Sequence, residues 1–255
     1  MSTRSELRTL IRLAPELNID VLSNVNLNTL LDKGQIDLGL KGRALPRNEQ
    51  VNTVASQQEY VVSGTSPVLT ADDFLGIDLV EGGVLYYDGA TWRGRLEGFQ
   101  PKTKEWLDGN SPGWRSNSAT SSPPQYWYLG TKEGTTSDHI IGLVDKPSAA
   151  TTDGLWIHYL ARGTLMTDDT HYPWTGSTTQ LVHLEVYDIL LVYYCLEQYC
   201  RLIAKNDTDA DKYKVFYEAG AKAMAARMPL SDHLLTEGFK APPYFQRFGF
   251  GTRRY

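Results

Sequence analysis

Apolar residues recur first at helical spacing, then at strand spacing, then at helical spacing again. Leu7, Leu10, Ile11 and Ala14 follow a Thr3/Glu6 pair set as in a capping box, and Pro15 stops the run. Leu27, Leu30, Leu31 and Leu38 form the stripe of a second helix that starts after Asn24, with Gly34 a weak point and Gly39 and Gly42 at its end.

From about residue 50 the pattern is that of strands: Val51, Thr53, Val54, Tyr60, Val61 and Val62. Residues 76–87 and 92–96 read as paired strands around the turn dipeptides Gly82-Gly83 and Asp88-Gly89. Pro101 opens a short helical turn through Trp106, and the Ser-, Gly- and Pro-rich stretch 108–124 reads as an exposed excursion. Strands resume at 125–129, 139–144 and 155–161.

The strongest helical signal begins near Thr178. Val182, Val186, Ile189, Tyr193, Leu196, Cys200 and Ile203 alternate spacings of four and three, a heptad-like seam. Leu184, Leu191 and Tyr194 make the opposite face apolar too, so this helix is expected to be covered on most sides. Thr208 with Asp211 reads as the N-cap of the last helix, packed through Tyr213, Phe216, Tyr217, Gly220, Met224 and Met228. Its run of small residues from Ala219 to Ala226 lets another helix approach closely.

The expected fold class is α+β. N- and C-terminal helices form a helical bundle with an inserted antiparallel β domain and an extended C-terminal tail. The expected boundaries are 1–48 and 177–228 for the bundle helices, 49–176 for the β domain and 229–255 for the tail.

Composition adjusts this picture in a few places. At 41% apolar residues a sizeable core is available, and the net charge of −5 argues against a general grip on nucleic acid. The most apolar stretch, Ile189 to Leu196, is too short to span a bilayer, so no membrane is expected. The N-terminus lacks the continuous apolar region of a signal peptide. Cys195 and Cys200, five residues apart on a helix, read as reduced core thiols, as suits an intracellular assembly environment.

Candidate chemistry is sparse. Asp168, Asp169 and His171 have the side chains of metal ligands but sit in an ordinary polar turn, so no metal is assigned. His183, Glu185 and Asp188 could be acid–base machinery, yet a polar helix face explains them better; His158 reads as an outward position of a strand. No serine sits in a nucleophile elbow and no phosphate-binding loop is present. No catalytic residue and no cofactor is assigned, and the chain is read as a non-enzyme.

Residues 239–255 are the exception to this blandness. Phe239, Tyr244, Phe245, Phe248, Phe250 and Tyr255 interleave with Lys240, Arg247, Arg253 and Arg254, and there is no acid. Such a segment is too aromatic for a solvated tail, and aromatics with Arg are the types that carry interface energy. It reads as an arm ordered by a partner.

The order of elements resembles the head-to-tail adaptor (connector) proteins of tailed phages, including the tail tubular proteins of short-tailed phages. LNTLLDKGQIDLGLKGR resembles the family's first helices, and VNTVASQQEYVV a strand, polar turn and Tyr-bearing strand. PQYWYLG, DHIIGLVDKP and LWIHYLARG resemble its sheet, and LMTDDTHYPW leads into the helix at 178–204.

The resemblance implies a structural virion protein at the head–tail junction, assembled in the host cytoplasm. Its expected partners are copies of itself in a dodecameric ring, the portal, and tail or nozzle proteins, with double-stranded DNA passing through the lumen without specific binding. The tail residues named above are then the expected portal contacts. Val182, Val186, Ile189, Tyr193, Leu196, Tyr213, Tyr217 and Met224 are the expected subunit-packing positions. The competing expectations are a peptidoglycan or polysaccharide hydrolase and a glycan-binding tail module.

Overall fold

The structure, a computed structural model, describes residues 2–14, 22–70, 73–96, 98–116, 119–120, 123–135 and 138–227. Pro15, Met228 and the whole of 229–255 lie outside the described residues. The helices are α1 (Arg4–Arg12), α2 (Asn24–Lys41), α3 (Lys104–Asn110), α4 (Asp188–Tyr199) and α5 (Asp207–Arg227). The strands are β1 (Pro46–Thr53), β2 (Glu59–Ser63), β3 (Phe74–Ile77), β4 (Val84–Tyr87), β5 (Trp92–Arg93), β6 (Gln100–Pro101), β7 (Ala119–Thr120), β8 (Tyr126–Thr131), β9 (His139–Val144), β10 (Lys146–Pro147) and β11 (Thr151–Ala161). The chain is therefore mixed α+β, with mainly antiparallel sheets; β6–β8 and β7–β10 are short parallel pairs.

Three buried clusters organise the chain. The first joins α1, α2, α4 and α5 through Leu7, Ile11, Leu27, Leu31, Leu191, Tyr217 and their neighbours. The capping box at Thr3 and Glu6 is present, and the next two free N–H groups of α1 are satisfied from a distance. Arg4 N–H donates to the His171 carbonyl at 2.9 Å and Ser5 N–H to that of Asp169 at 3.1 Å. Close helix approach depends on glycine. A Cβ at Gly34 of α2 would lie 2.9 Å from Tyr194 Cδ1, and one at Gly220 of α5 would lie 2.2 Å from Leu190 Cδ2.

The second cluster lies between two sheets. One has the order β1-β11-β4-β5, with β3 also paired to β11; the other has the order β2-β9-β8-β6. Val51, Val84, Tyr86, Leu155, Ile157 and Tyr159 of the first sheet meet Tyr60, Val62, Trp127, Ile141 and Leu143 of the second. The third cluster covers the other side of the second sheet. There α3 and Trp114 pack on Tyr128, Ile140 and Val144.

Several local expectations are corrected. The first strand starts at Pro46, four residues early, because Pro46 pairs with Leu160 at the sheet edge, where a missing N–H is tolerated. Residues 76–87 do not fold as a hairpin. β3 and β4 both pair antiparallel with β11, which at 11 residues is long enough to hold them end to end, and the loop between them closes on itself. The stretch 108–124 is not wholly an exposed excursion, since Trp114 is buried against Tyr128 with ring centroids 5.0 Å apart.

The region 178–204 is not one helix. A 3-10 segment over Val182–Tyr187 precedes α4, and a π turn over Cys200–Ala204 follows it. Leu184 and Tyr187, both buried, are three residues apart, and a 3-10 turn brings that spacing onto one face. The cap of α5 is Asn206, whose Oδ1 accepts the Asp209 N–H at 3.3 Å; Thr208 falls inside the first turn.

Candidate functional site

The apolar seam splits where α4 and α5 pack. Leu196, Tyr213, Tyr217 and Met224 are buried in the helical core and so are already used inside the subunit. Val182, Val186 and Ile189 turn the other way and are 69%, 57% and 41% exposed. Tyr193 lies between the two sets. Its ring stacks on Tyr213, 6.3 Å away, and touches Phe216, 5.5 Å away and itself exposed. Val186, Ile189 and Tyr193 are spaced by three and four, so one face of the helix carries them in a row, continued onto α5 by Phe216. This is an apolar surface that the subunit's own described residues leave open.

The split follows from packing on both sides of α4. Leu190, Leu191 and Cys195 are taken by the core, so the seam residues nearest the start of the helix have no partner left among the described residues. Tyr217, at the centre of the core, is fixed by its hydroxyl, which donates to Asp37 Oδ2 at 2.6 Å. Burial and that carboxylate push the phenol far above its ordinary pKa. Burial likewise pushes the Cys195 thiol up, and both cysteines are buried outside any disulfide.

Asp188 opens α4 from a buried position. Its Oδ2 accepts the Ser2 N–H, while its Oδ1 finds no hydrogen-bond partner among the described residues. Burial pushes its carboxyl up to about 7, against the favourable pull of the Ser2 N–H. His183 and Glu185 are exposed, so the three residues do not share one surface, and the acid–base trio separates.

The turn at 168–171 has a structural task. Asp168 Oδ1 accepts the Thr170 N–H at 3.0 Å, and Asp169 pairs with the buried Arg8 at 2.7 Å. His171 Nδ1 accepts the Asp168 N–H at 3.3 Å. With the two carbonyls given to α1, this turn seats the N-terminus of that helix. Among the described residues no group of three or more His, Cys, Asp or Glu side chains is placed to hold a metal ion. No described helix is long and apolar enough to cross a membrane.

The tail residues Phe239, Lys240, Tyr244, Phe245, Arg247, Phe248, Phe250, Arg253, Arg254 and Tyr255 all lie outside the described residues. Sequence periodicity missed the open face of the first sheet, where Tyr87, Trp92 and Trp156 make ring contacts. The alternation of β11 was legible, but the strands beside it were not.

The described surface offers an open apolar patch of Val182, Val186, Ile189 and Phe216. Residues 2–235 match the family model of the SU10 adaptor protein, so the chain belongs to that family of tailed-phage head–tail adaptors. It is a structural component of the virion at the head–tail junction. The match ends before residue 239, so the aromatic, basic segment lies beyond it. No curated protein matches the chain.

Proposed function

We propose that this adaptor is a non-enzymatic subunit that closes into a ring between portal and tail. The carrying observation is the open apolar row of Val182, Val186, Ile189 and Phe216. A ring contact is heterologous, so a second, different apolar surface must meet it. Leu10, Leu13 and Val25, exposed where the end of α1 meets the start of α2, are our candidate for that counterpart. Arg12 and Asn24 are hydrogen-bonded there, which holds the two helix ends together.

In this reading 239–255 docks on the portal. Its aromatics are the anchors and its four cations meet acidic protein surface. The ring body is built from 1–48 and 177–228, with 49–176 inserted. The ring gives tail components a platform, and double-stranded DNA passes through its lumen. The net charge of −5 favours passage without sticking.

Val186→Asp with Ile189→Asp tests the ring, since both side chains are exposed and the subunit should fold normally. The double variant should give folded monomers that no longer form closed rings on the portal. Normal rings from it would refute the assignment of this face. Removal of 239–255 should abolish portal attachment while the circular dichroism spectrum keeps its helical content; a truncated chain that still joins the portal would refute the role of the tail.

A further inference from the structure

The second sheet is covered on both sides, by the first sheet and by α3 with Trp114. The other side of the first sheet meets α2 at its β3 end, where Leu40 and Gly39 approach Gly76 and Leu75, and is left open by the described residues around Trp156. Over residues 155–159 of β11 the burial alternates: Leu155, Ile157 and Tyr159 point into the core, and Trp156 and His158 point away from it. Pairing carries that outer face across the sheet. Leu85 lies opposite Trp156, Tyr87 opposite Trp92, and Gln50 and Asn48 of β1 opposite Trp156 and His158.

The result is a contiguous aromatic row. Tyr87 and Trp92 have ring centroids 5.2 Å apart, Trp92 and Trp156 5.6 Å, and Trp156 and His158 5.0 Å. All four are partly exposed, and none belongs to a buried cluster among the described residues. Beside them the edge strand presents Asn48 and Gln50, both exposed and two residues apart, or about 7 Å along a strand. Asn48 Oδ1 accepts from Trp156 Nε1 at 3.2 Å, which fixes the indole beside the amide. The Gln50 amide, Tyr87 hydroxyl and Trp92 Nε1 make no hydrogen bond among the described residues.

The charge of the face narrows the ligand. At the Tyr87–Trp92 end Arg93 and Asp88 neutralise each other at 2.6 Å. Burial holds the His158 imidazole below its ordinary pKa, towards its neutral form. Arg93 is thereby taken from any phosphate backbone, which needs unpaired cations. Within the row itself the aliphatic side chain is that of Leu85, too little for the apolar stripe of a docking helix. What is left is flat aromatic surface beside amides that both donate and accept. A sugar matches that pair, since its C–H faces stack on rings and its hydroxyls bond to amides.

We infer that the open face of the β1-β11-β4-β5 sheet binds an uncharged oligosaccharide, stacked on Trp92 and Trp156 and hydrogen-bonded by Gln50 and Asn48. This site is separate from the apolar helical row and does not rest on the ring assignment.

The full-length protein would be screened on an array of neutral and anionic glycans and of proline-rich peptides. Soluble glucose and N-acetylglucosamine hexasaccharides would then be titrated by tryptophan fluorescence. Binding of a neutral glycan, equal at low and high salt and at least about tenfold weaker in Trp92→Ala and in Gln50→Ala, is the expected result. Gln50 is exposed and makes no hydrogen bond among the described residues, so its variant keeps the test sound if Trp92→Ala fails to fold. Ring formation on the portal should be unchanged in Gln50→Ala. The inference is overturned if no neutral glycan binds, if only anionic glycans or proline-rich peptides do, or if binding survives both substitutions.

Discussion

Replacing Asp78 with alanine should cost the protein about 3–4 kcal/mol, the lower part of the range for breaking a buried ion pair. Arg43 follows the C-cap Gly42 of α2 and takes a left-handed backbone, φ 51°. Its buried guanidinium meets the Asp78 carboxylate, which is only 2% exposed. Asp78 also organises the loop between β3 and β4. Its N–H donates to the His158 carbonyl at 2.9 Å, its own carbonyl accepts the Gly83 N–H at 3.0 Å, and Oδ1 accepts the Val80 N–H at 3.2 Å. Without the carboxylate, Arg43 keeps Glu81 alone, 3.6 Å away and partly exposed, which is why the loss falls short of the full range. Urea denaturation would read the effect as a shift of midpoint at constant m-value. Arg43→Met with Asp78→Leu should cost less than either single change, because no unpaired charge is left buried. A loss under about 1 kcal/mol for Asp78→Ala, or strictly additive single and double effects, would show that this contact does not join the helices to the sheets.

Three further outcomes are expected. The Asp188 carboxyl has its folded pKa raised to about 7 from 3.8, so the folded state keeps a proton that the unfolded chain releases; stability is fully present below about pH 4 and declines as pH rises towards 7. Asp188→Asn should flatten that slope and be the more stable protein at pH 8, and an unchanged pH profile in denaturation would contradict the burial argument. Gly142→Ala should cost about 1–3 kcal/mol, since the new Cβ would fall 2.0 Å from Cζ of the buried Tyr128; an unchanged melting temperature would contradict it. Leu196→Ala should cost about 2–5 kcal/mol while Val186→Ala stays within about 0.5, so similar losses would mean that the seam does not divide between core and surface.

Elements governed by local chemistry were readable from the chain. Thr3 and Glu6 announce α1, and the alternation of 155–161 announces a strand, because capping and two-residue periodicity are written within a few positions. Pairing was less readable. Nothing near Gly82-Gly83 says that the strands on either side both lie on β11, some 75 residues later. The helix at 178–204 misled for a different reason. A four-and-three spacing describes which residues are apolar, but the core fixes Leu184 and Tyr187 by a three-residue turn. The same spacing placed Val186 and Leu196 in one seam, and only the position of α5 separates the exposed residue from the buried one. Arg43 and Asp78 are 35 residues apart, and no sequence signal links them. Of the expected contact residues, the helical ones could be sorted by burial, while the tail is known through its composition alone.

We propose that this head–tail adaptor closes into a ring on the portal. Negative-stain imaging of purified full-length protein mixed with the portal of its own phage tests it most directly. A ring-forming adaptor gives a second ring, coaxial with the portal and present only when both proteins are. Bare portals beside folded, monodisperse adaptor would contradict it.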